Sequence, residues 1–458
     1  MINLFEYQNK VDYSTPSNEL EAFLDEIWAN RERATSYWAD QSDRIENQQF
    51  IQFLHKTKQL KSNNYVGVIH FEDQKINLLP KIFYDVDQEV TDQKINGIQQ
   101  HVLWWLSYCK KIKFPSYQTA MGSNKSDFFE VLIFLFAKYT RTLLNHSIYQ
   151  QYQEINKEIP FIKGRLNINA YINQNLSKGR WHQLNCTYDA FEFDNKFNRI
   201  IKFVTTLLFN HSSSQENKKY LREILFLLDE VSDVPATAKE CAAITFNSMF
   251  GEFETVRDYC QLFLNNSISF NYKNDLKLFA FLLPMEYVFE DFILGFIDKE
   301  LDSVIAKGQD RTKKLDVDGN FSLRPDLLLE INSKTYIADT KYKIVYSDPQ
   351  DSKDGISQTD LYQMLAYAVR FNIENILLFY PNTIKNQQSK KSMIKIKDDL
   401  ADGKYVFVQS YQLPIINRAL FTGTADNQKK LADVFEETRQ LLVNQLEDIF
   451  GELVEITK

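Results

Sequence analysis

Two aspartates and one lysine have the types and spacing to do chemistry in this chain. Asp326 opens the run Pro325-Asp326-Leu327-Leu328-Leu329-Glu330-Ile331, and Asp339 and Lys341 lie near the end of Thr335-Tyr336-Ile337-Ala338-Asp339-Thr340-Lys341-Tyr342-Lys343. Both runs read as strands, Asp326–Ile331 and Thr335–Lys343, joined by the polar turn Asn332-Ser333-Lys334. Alternation along a strand puts Asp339 and Lys341 on one face and Thr340 on the other, and the twist of the hairpin brings Asp326 beside Asp339. Two carboxylates and a lysine converging at a sheet edge can hold a divalent metal and activate a water. That is the chemistry of phosphodiester hydrolysis.

The Asp-x-Lys pattern alone discriminates little, since it recurs at Asp73, Asp92, Asp194, Asp275, Asp351 and Asp402. Asp339 alone has Pro-Asp opening an apolar strand a hairpin's length upstream. The elements around the hairpin add further candidates. A helix over Pro284–Leu301 precedes it and carries Phe289-Glu290, whose carboxylate is a candidate third acidic group and metal ligand. A helix over Gln358–Phe371 follows, where Gln363 and Tyr367 stand four apart and share one face as supporting candidates. Next come the apolar strand Ile376–Tyr380, a basic loop, the strand Tyr405–Val408 and an amphipathic helix over Leu431–Phe450. A helix leaving a strand pair and returning to a buried strand is a crossover onto a mixed sheet. Lys385, Lys390, Lys391, Lys395 and Lys397, with Arg311, Lys313 and Lys314, are candidates for phosphate contacts, against the alternative of a solvated loop.

Upstream, helices are expected over 18–31, over Ile45–Lys58 and over 88–112, with a hairpin at Tyr65–Ile82 between the second and third. Phe128–Leu144 is apolar nearly all round and reads as a core helix. A further helix ends near Phe209, residues 210–217 read as a solvent loop, and Leu221 to Val231 rebuild a helical stripe. The fold class is thus α/β: a mixed N-terminal region with a β-hairpin over 1–120, a helical middle region over 121–273, and a C-terminal domain over 274–458 with a mixed sheet flanked by helices.

A formal net charge of −8 argues against a wholly basic nucleic-acid coat protein, though a local basic channel is compatible with it. The four cysteines show no C-x-x-C pairing and the histidines no zinc spacing, which points to a reducing cytoplasm. The amino terminus lacks a signal-peptide pattern, and the most apolar run, Phe128–Ala137, is far short of the roughly 20 residues that cross a bilayer, so no membrane association is expected. No G-x-x-x-x-G-K-[ST] loop is present; Gly122-Ser123-Asn124-Lys125-Ser126 is the nearest approach. Nucleotide hydrolysis by this chain alone is therefore not expected.

The chain resembles McrC, the nuclease subunit of McrBC modification-dependent restriction systems, within the PD-(D/E)xK superfamily. Pro325-Asp326 with Asp339-Thr340-Lys341 is similar to the superfamily signature, Gln363 through Tyr367 to the Q-x-x-x-Y element of RecB-type members, and Phe289-Glu290 to the family's phenylalanine-glutamate helix. Gly67 with Leu79-Pro80-Lys81-Ile82, then Gly164-Arg165-Leu166 and Phe197-Asn198-Arg199-Ile200, extend the likeness upstream to about residue 60. The resemblance implies a PD-(D/E)xK endonuclease domain that cuts double-stranded DNA with Mg2+. It also implies docking, through the N-terminal portion, on an McrB-like AAA+ GTPase ring that binds the GTP and reads a 5-methylcytosine-type mark. A catalytically silent regulator of such a GTPase and a stand-alone repair-type nuclease are the alternatives. The intact acidic pair and lysine speak against the first, and the long region before residue 274 against the second.

Overall fold

The computed structural model of the chain describes residues 2–13, 18, 20–22, 24–25, 50–71, 74–87, 89–110, 128–269, 278–308, 313–348, 350–387, 390–398, 404–422 and 431–456. The helix expected over 18–31 is present as far as Asp25; its remainder, the start of the second expected helix, the Gly122–Ser126 segment and Arg311 lie outside the described residues. Packing groups 1–131 with 265–458 as one unit and 132–264 as another.

The first unit opens with strands β1 (Ile2–Phe5), β2 (Lys10–Asp12), β3 (Ile51–Leu54), β4 (Gln59–Ser62), β5 (Tyr65–Phe71) and β6 (Gln74–Leu79). β5 and β6 form the expected hairpin, and β1 adds in parallel to β6. The helix expected over Ile45–Lys58 is not formed in its described part: β3 and the turn after it occupy it, and β3 pairs with β4 in a small sheet ordered β2-β4-β3. Ile51 and Phe53 turn inward while Gln52 faces solvent, a period of two that suits a strand. Helix α1 (Asp92–Leu106) follows, its first turn capped by Thr91, whose hydroxyl accepts from the Lys94 amide at 3.2 Å.

The second unit contains most of α2 (Phe128–His146), then strands β7 (Gln151–Ile159), β8 (Arg165–Leu166) and β9 (Leu184–Glu192), and helices α3 (Lys196–His211), α4 (Gln215–Leu227) and α5 (Phe253–Asn266). The middle region is therefore not purely helical: an antiparallel sheet ordered β7-β9-β8 lies within it. β7 reads Gln-Tyr-Gln-Glu-Ile-Asn-Lys-Glu-Ile, with too few apolar residues to reveal a strand by alternation. Gly164, at φ +68°, lies so close to β9 that a Cβ there would meet the Thr187 carbonyl oxygen at 2.4 Å. The expected solvent loop at 210–217 shrinks to Ser212–Ser214, because the Ser214 hydroxyl caps α4 by accepting from the Asn217 amide. Ahead of α3, Arg199 grips Asp194 with Nε and Nη2 at 2.7 and 3.0 Å and holds its carboxyl well below the usual carboxylate range. Asn195 caps the same helix, and Asn198 donates to the Tyr149 carbonyl at 2.8 Å. The Phe197-Asn198-Arg199-Ile200 motif is thus a buried knot at a helix start.

The chain then returns to the first unit with β10 (Ser267–Ser269) and β11 (Leu278–Pro284), which complete a five-stranded sheet ordered β1-β6-β5-β11-β10. Three consecutive regions are expected from the sequence, but the first and third share this sheet and pack as one unit. Gly67 permits the pairing: at φ +150° its missing Cβ would sit 1.9 Å from the Phe281 carbonyl oxygen. Helix α6 (Met285–Glu300) leads to β12 (Val304–Gly308), β13 (Leu327–Ile331) and β14 (Lys334–Thr340); α7 (Gln358–Phe371) crosses to β15 (Asn375–Pro381), followed by β16 (Lys391–Asp398), β17 (Lys404–Leu413) and α8 (Leu431–Ile456). Their sheet runs β12-β13-β14-β15-β17-β16, parallel at β14/β15 and β15/β17 and antiparallel elsewhere. α7 buries Met364, Tyr367 and Ala368 against Ile337, Ile376, Leu378 and Val408. β16 corrects the expected basic loop. Its lysines face outward from an edge strand while Ile394 and Ile396 pack inward, a charge pattern that deters pairing with another chain. No helix among the described residues is long and apolar enough to cross a membrane.

His101 ties α1 to the chain beyond β17. Its Nδ1 lies 2.7 Å from the Gly97 carbonyl and its Nε2 accepts from the Asn417 amide at 3.1 Å, so the ring is neutral, with Nδ1 as the donor. Burial among Phe83, Trp105, Phe421 and Phe435 pushes its pKa down to about 4. The unfolded chain takes up this proton near pH 6.5 and the folded chain only near 4, so unfolding binds a proton between those values and acid erodes stability there. His101 should account for about 2–3 kcal/mol of stability lost between pH 7 and pH 4.5. Urea unfolding at both pH values checks this, and His101→Asn should flatten the slope.

Candidate active site

The hairpin β13–β14 turns on two residues rather than three. Asn332 and Ser333 both have positive φ, +49° and +62°, and Ile331 pairs with Lys334 across them, the geometry of a two-residue type I′ turn. That register sets Leu327 opposite Ala338, so Asp326, one residue before β13, arrives beside the end of β14. Its Oδ2 accepts from the Thr340 amide at 2.8 Å and the Thr340 hydroxyl at 2.7 Å. Lys341 follows β14 directly, its amide donating to the Phe379 carbonyl of β15 at 2.8 Å. Its Nζ lies 2.5 Å from Asp339 Oδ2. The three residues expected to converge therefore do so, and Thr340, expected only to face away, anchors Asp326.

The electrostatics of this cluster are unusual. Asp339 is fully buried; desolvation, then the neighbouring Asp326 charge, push its pKa up to about 8 against the pull of Lys341. Burial alone would depress the Lys341 ammonium, but Asp339 and Asp326 outweigh it and leave the pKa raised. Asp339 Oδ1 is buried without a hydrogen-bond partner. A hard divalent cation would relieve both the unmatched oxygen and the carboxylate repulsion, so Asp326 and Asp339 fit such an ion as oxygen ligands. Among the described residues no three His, Cys, Asp or Glu side chains form a metal-ligand group, so Glu290 does not complete a triad with them. It is buried on α6, next to Phe289, whose ring packs 6.0 Å from that of Tyr342.

Gln363 and Tyr367 act as a brace. Gln363 Nε2 donates to the Tyr367 hydroxyl at 2.7 Å, which donates to the Arg324 carbonyl at 2.8 Å, two residues before Asp326. Asp360, earlier on the same helix and nearly buried, receives Lys343 Nζ at 2.8 and 2.9 Å, and its charge acts on both Asp339 and Lys341. Neither Asp360 nor Lys343 is singled out by the sequence pattern. The signal was present as an acid in the first turn of the helix after the hairpin and a second lysine two residues beyond Lys341.

On the side of Tyr342, Lys81 Nζ lies 4.5 Å above the ring, and buried Glu6 accepts from the Lys81 amide at 3.1 Å. Desolvation pushes Glu6 up to about 7, opposed by the Lys81 charge. Leu79-Pro80-Lys81-Ile82 is therefore in contact with the residue after the lysine of the site.

Several of the candidate phosphate-binding lysines are engaged with other side chains. Lys391 Nζ pairs with Glu452 at 2.7 Å, Lys395 lies 3.6 Å over the Tyr405 ring, and Lys314 meets Ser322 at 2.5 Å. Lys385 and Lys390, the latter next in the chain to Lys391, lie on the loop after β15.

A buried carboxylate beside a half-buried one, with a lysine, where a mixed sheet's antiparallel hairpin meets its parallel strands, defines an α/β protein with a metal-compatible acidic site. A family model described as McrBC 5-methylcytosine restriction system component matches residues 60–381. The chain belongs to that family and is an McrBC restriction system component. In fold it is similar to a chain of the refined half-complex from the tetradecameric assembly of Thermococcus gammatolerans McrB AAA+ hexamers with bound McrC: TM-score 0.65, 16% identity, 98% of this chain and 99% of that one. A chain of the cryo-EM structure of the Thermococcus gammatolerans McrBC complex also matches, at TM-score 0.48 and 19% identity over 66% of this chain and 88% of that one. No curated relative matches the chain.

Tyr367→Phe removes the donor to the Arg324 carbonyl and the acceptor of Gln363 while keeping the ring. It should lower stability by about 1–2 kcal/mol without loss of cooperativity, read by urea unfolding.

Proposed function

We propose that this chain is the endonuclease subunit of a GTP-dependent, 5-methylcytosine-type restriction complex, with a PD-(D/E)xK site hydrolysing DNA phosphodiesters. The observation that carries the reading is the fully buried Asp339, held beside Asp326 and bridged by Lys341. Asp326 and Asp339 would hold Mg2+, which, when bound, lowers the pKa of a coordinated water and neutralises charge on the phosphate. Thr340 fixes Asp326 Oδ2 through two hydrogen bonds, so that this carboxylate presents its charge in one orientation. Lys341, in contact with Asp339, would orient the attacking water or help deprotonate it and stabilise the charge that builds on the phosphate. Gln363 and Tyr367 hold the Arg324 carbonyl and with it the approach to Asp326. Glu290 is left outside the metal set, as a buried neighbour on α6.

The partner in this reading is an AAA+ GTPase ring like McrB, the protein to which McrC is bound in the half-complex of similar fold. That ring would bind the GTP, in keeping with the lack of a phosphate-cradling loop here, and the N-terminal portion of this chain would dock on it. A silent regulator would have no use for a fully buried carboxylate held against a second one that repels it, and a stand-alone repair nuclease would not need a match over 98% of the chain to a component of a McrB complex.

Asp339→Ala, assayed with the cognate GTPase on methylated duplex DNA, should lower cleavage by about 10³-fold or more while stimulation of GTP hydrolysis persists. Cleavage at the original rate would overturn the assignment. Chelating divalent metal should abolish cutting by the unaltered protein, and magnesium should restore it.

A further inference from the structure

Asp360 and Lys343 form an ion pair beside the acidic site to which no step of the hydrolysis assigns a role. Asp360 stands in the first turn of α7, is 4% exposed, and turns both carboxylate oxygens to Lys343 Nζ, at 2.8 and 2.9 Å. An acid there suits the start of a helix in any case, but a helix start does not require both oxygens on one ammonium. α7 covers the face of the sheet to which Asp339 points: Ile337, two residues before Asp339 on β14, packs with Met364 and Tyr367, as do Leu378 and Tyr380 of β15. Asp360 is accordingly close enough for its charge to act on Asp339, on Lys341 and on the Tyr380 hydroxyl.

Lys343 lies two residues beyond Lys341, whose Nζ already holds Asp339 Oδ2. The chain turns between the two lysines, the Lys343 amide donating to the Lys341 carbonyl at 2.8 Å, so their Cα atoms are within about 7 Å of each other. Asp339 Oδ1 is buried without a hydrogen-bond partner. Leaving such an oxygen bare is unfavourable, so a second ammonium released beside it would find an acceptor there. That ammonium and a divalent cation would compete for the same oxygens. The two-oxygen grip of Asp360 removes the competitor: it cancels the charge of Lys343 and fixes its Nζ, although 43% of that side chain is exposed.

We propose that Asp360 is a positioning residue of the nuclease site, keeping Lys343 from Asp339 so that Asp326 and Asp339 stay open to a divalent cation. The inference rests on the nuclease reading above and adds to it the residue that governs the entry of metal. The test uses the full chain with Mn2+ as the probe, free ion being read by electron paramagnetic resonance, and urea unfolding of each variant alongside. Asp360→Asn should weaken Mn2+ binding about 10-fold or more. Adding Lys343→Met to it should recover most of that loss, whereas Lys343→Met in the unaltered protein should change binding far less. A merely structural role of Asp360, or a charge felt only at a distance, would not give this non-additivity. Asp360→Ser gives the same contrast if the Asn variant fails to fold. With the cognate GTPase, the Mg2+ concentration for half-maximal cleavage should rise and recover in the same order. Unchanged Mn2+ binding by Asp360→Asn would mean that Lys343 turns to water when released, and would overturn the proposal. Equal effects of Lys343→Met in both backgrounds would overturn it too. Either result, in a protein that cuts methylated duplex normally, leaves the nuclease reading standing. A wild-type chain that binds no Mn2+ and, with its GTPase, cuts nothing removes that reading and this inference with it.

Discussion

Two carboxylates held side by side repel one another, the more so when one of them is out of water, and the C-terminal part of the first unit is organised to keep Asp326 and Asp339 in that relation. The tight turn at Asn332-Ser333 fixes the register that brings them together. Thr340 takes one oxygen of Asp326, and Lys341 one oxygen of Asp339. Without these partners the pair would drift apart or take up protons; with them, a place for a cation exists before any cation arrives. Preorganisation of this kind is costly for the fold and useful for a reaction in which negative charge accumulates.

The supports lie in a second layer. α7 delivers Tyr367 to the Arg324 carbonyl and Asp360 to Lys343, so one helix stabilises the chain on both sides of the pair. Lys343 is matched by a nearly buried carboxylate, whereas Lys341 is shared between Asp339 and the field of Asp326. Of the two lysines, Lys341 therefore faces the acidic pair and Lys343 fastens the strand end to the helix.

Much of the hairpin and its crossover helix was legible in the sequence because their signals are local. Pro-Asp before an apolar run, the alternation of faces through Asp339-Thr340-Lys341 and the Gln363/Tyr367 spacing each act over a few residues. What was not legible depended on pairing at a distance or on composition that masks period. β16 hides its alternation behind lysines, β7 behind polar residues on both faces, and β3 within a stretch whose apolar residues also fit a helix. Thr340 was read by face, yet its amide and hydroxyl reach Asp326 because that residue lies just before its strand rather than in it. Glu290 matched a motif, but it does not enter a three-ligand group with the pair, which no one-dimensional spacing could decide.

The five-stranded sheet bears on how such a protein can be built and exchanged. β11 belongs to the C-terminal half of the sequence but sits beside β5, near the middle of a sheet begun by the first eighty residues. A gene cut at one point between the amino-terminal region and the region that carries the acidic pair would leave each product with an unfilled strand position and a row of unpaired backbone groups. Recombination of this region with that of another protein would have to carry both segments at once. The second unit, by contrast, is a single insertion between residues 131 and 265, entered and left once by the chain. Lineages can therefore lengthen, shorten or replace that insertion as one block while the sheet and the acidic pair pass on unchanged.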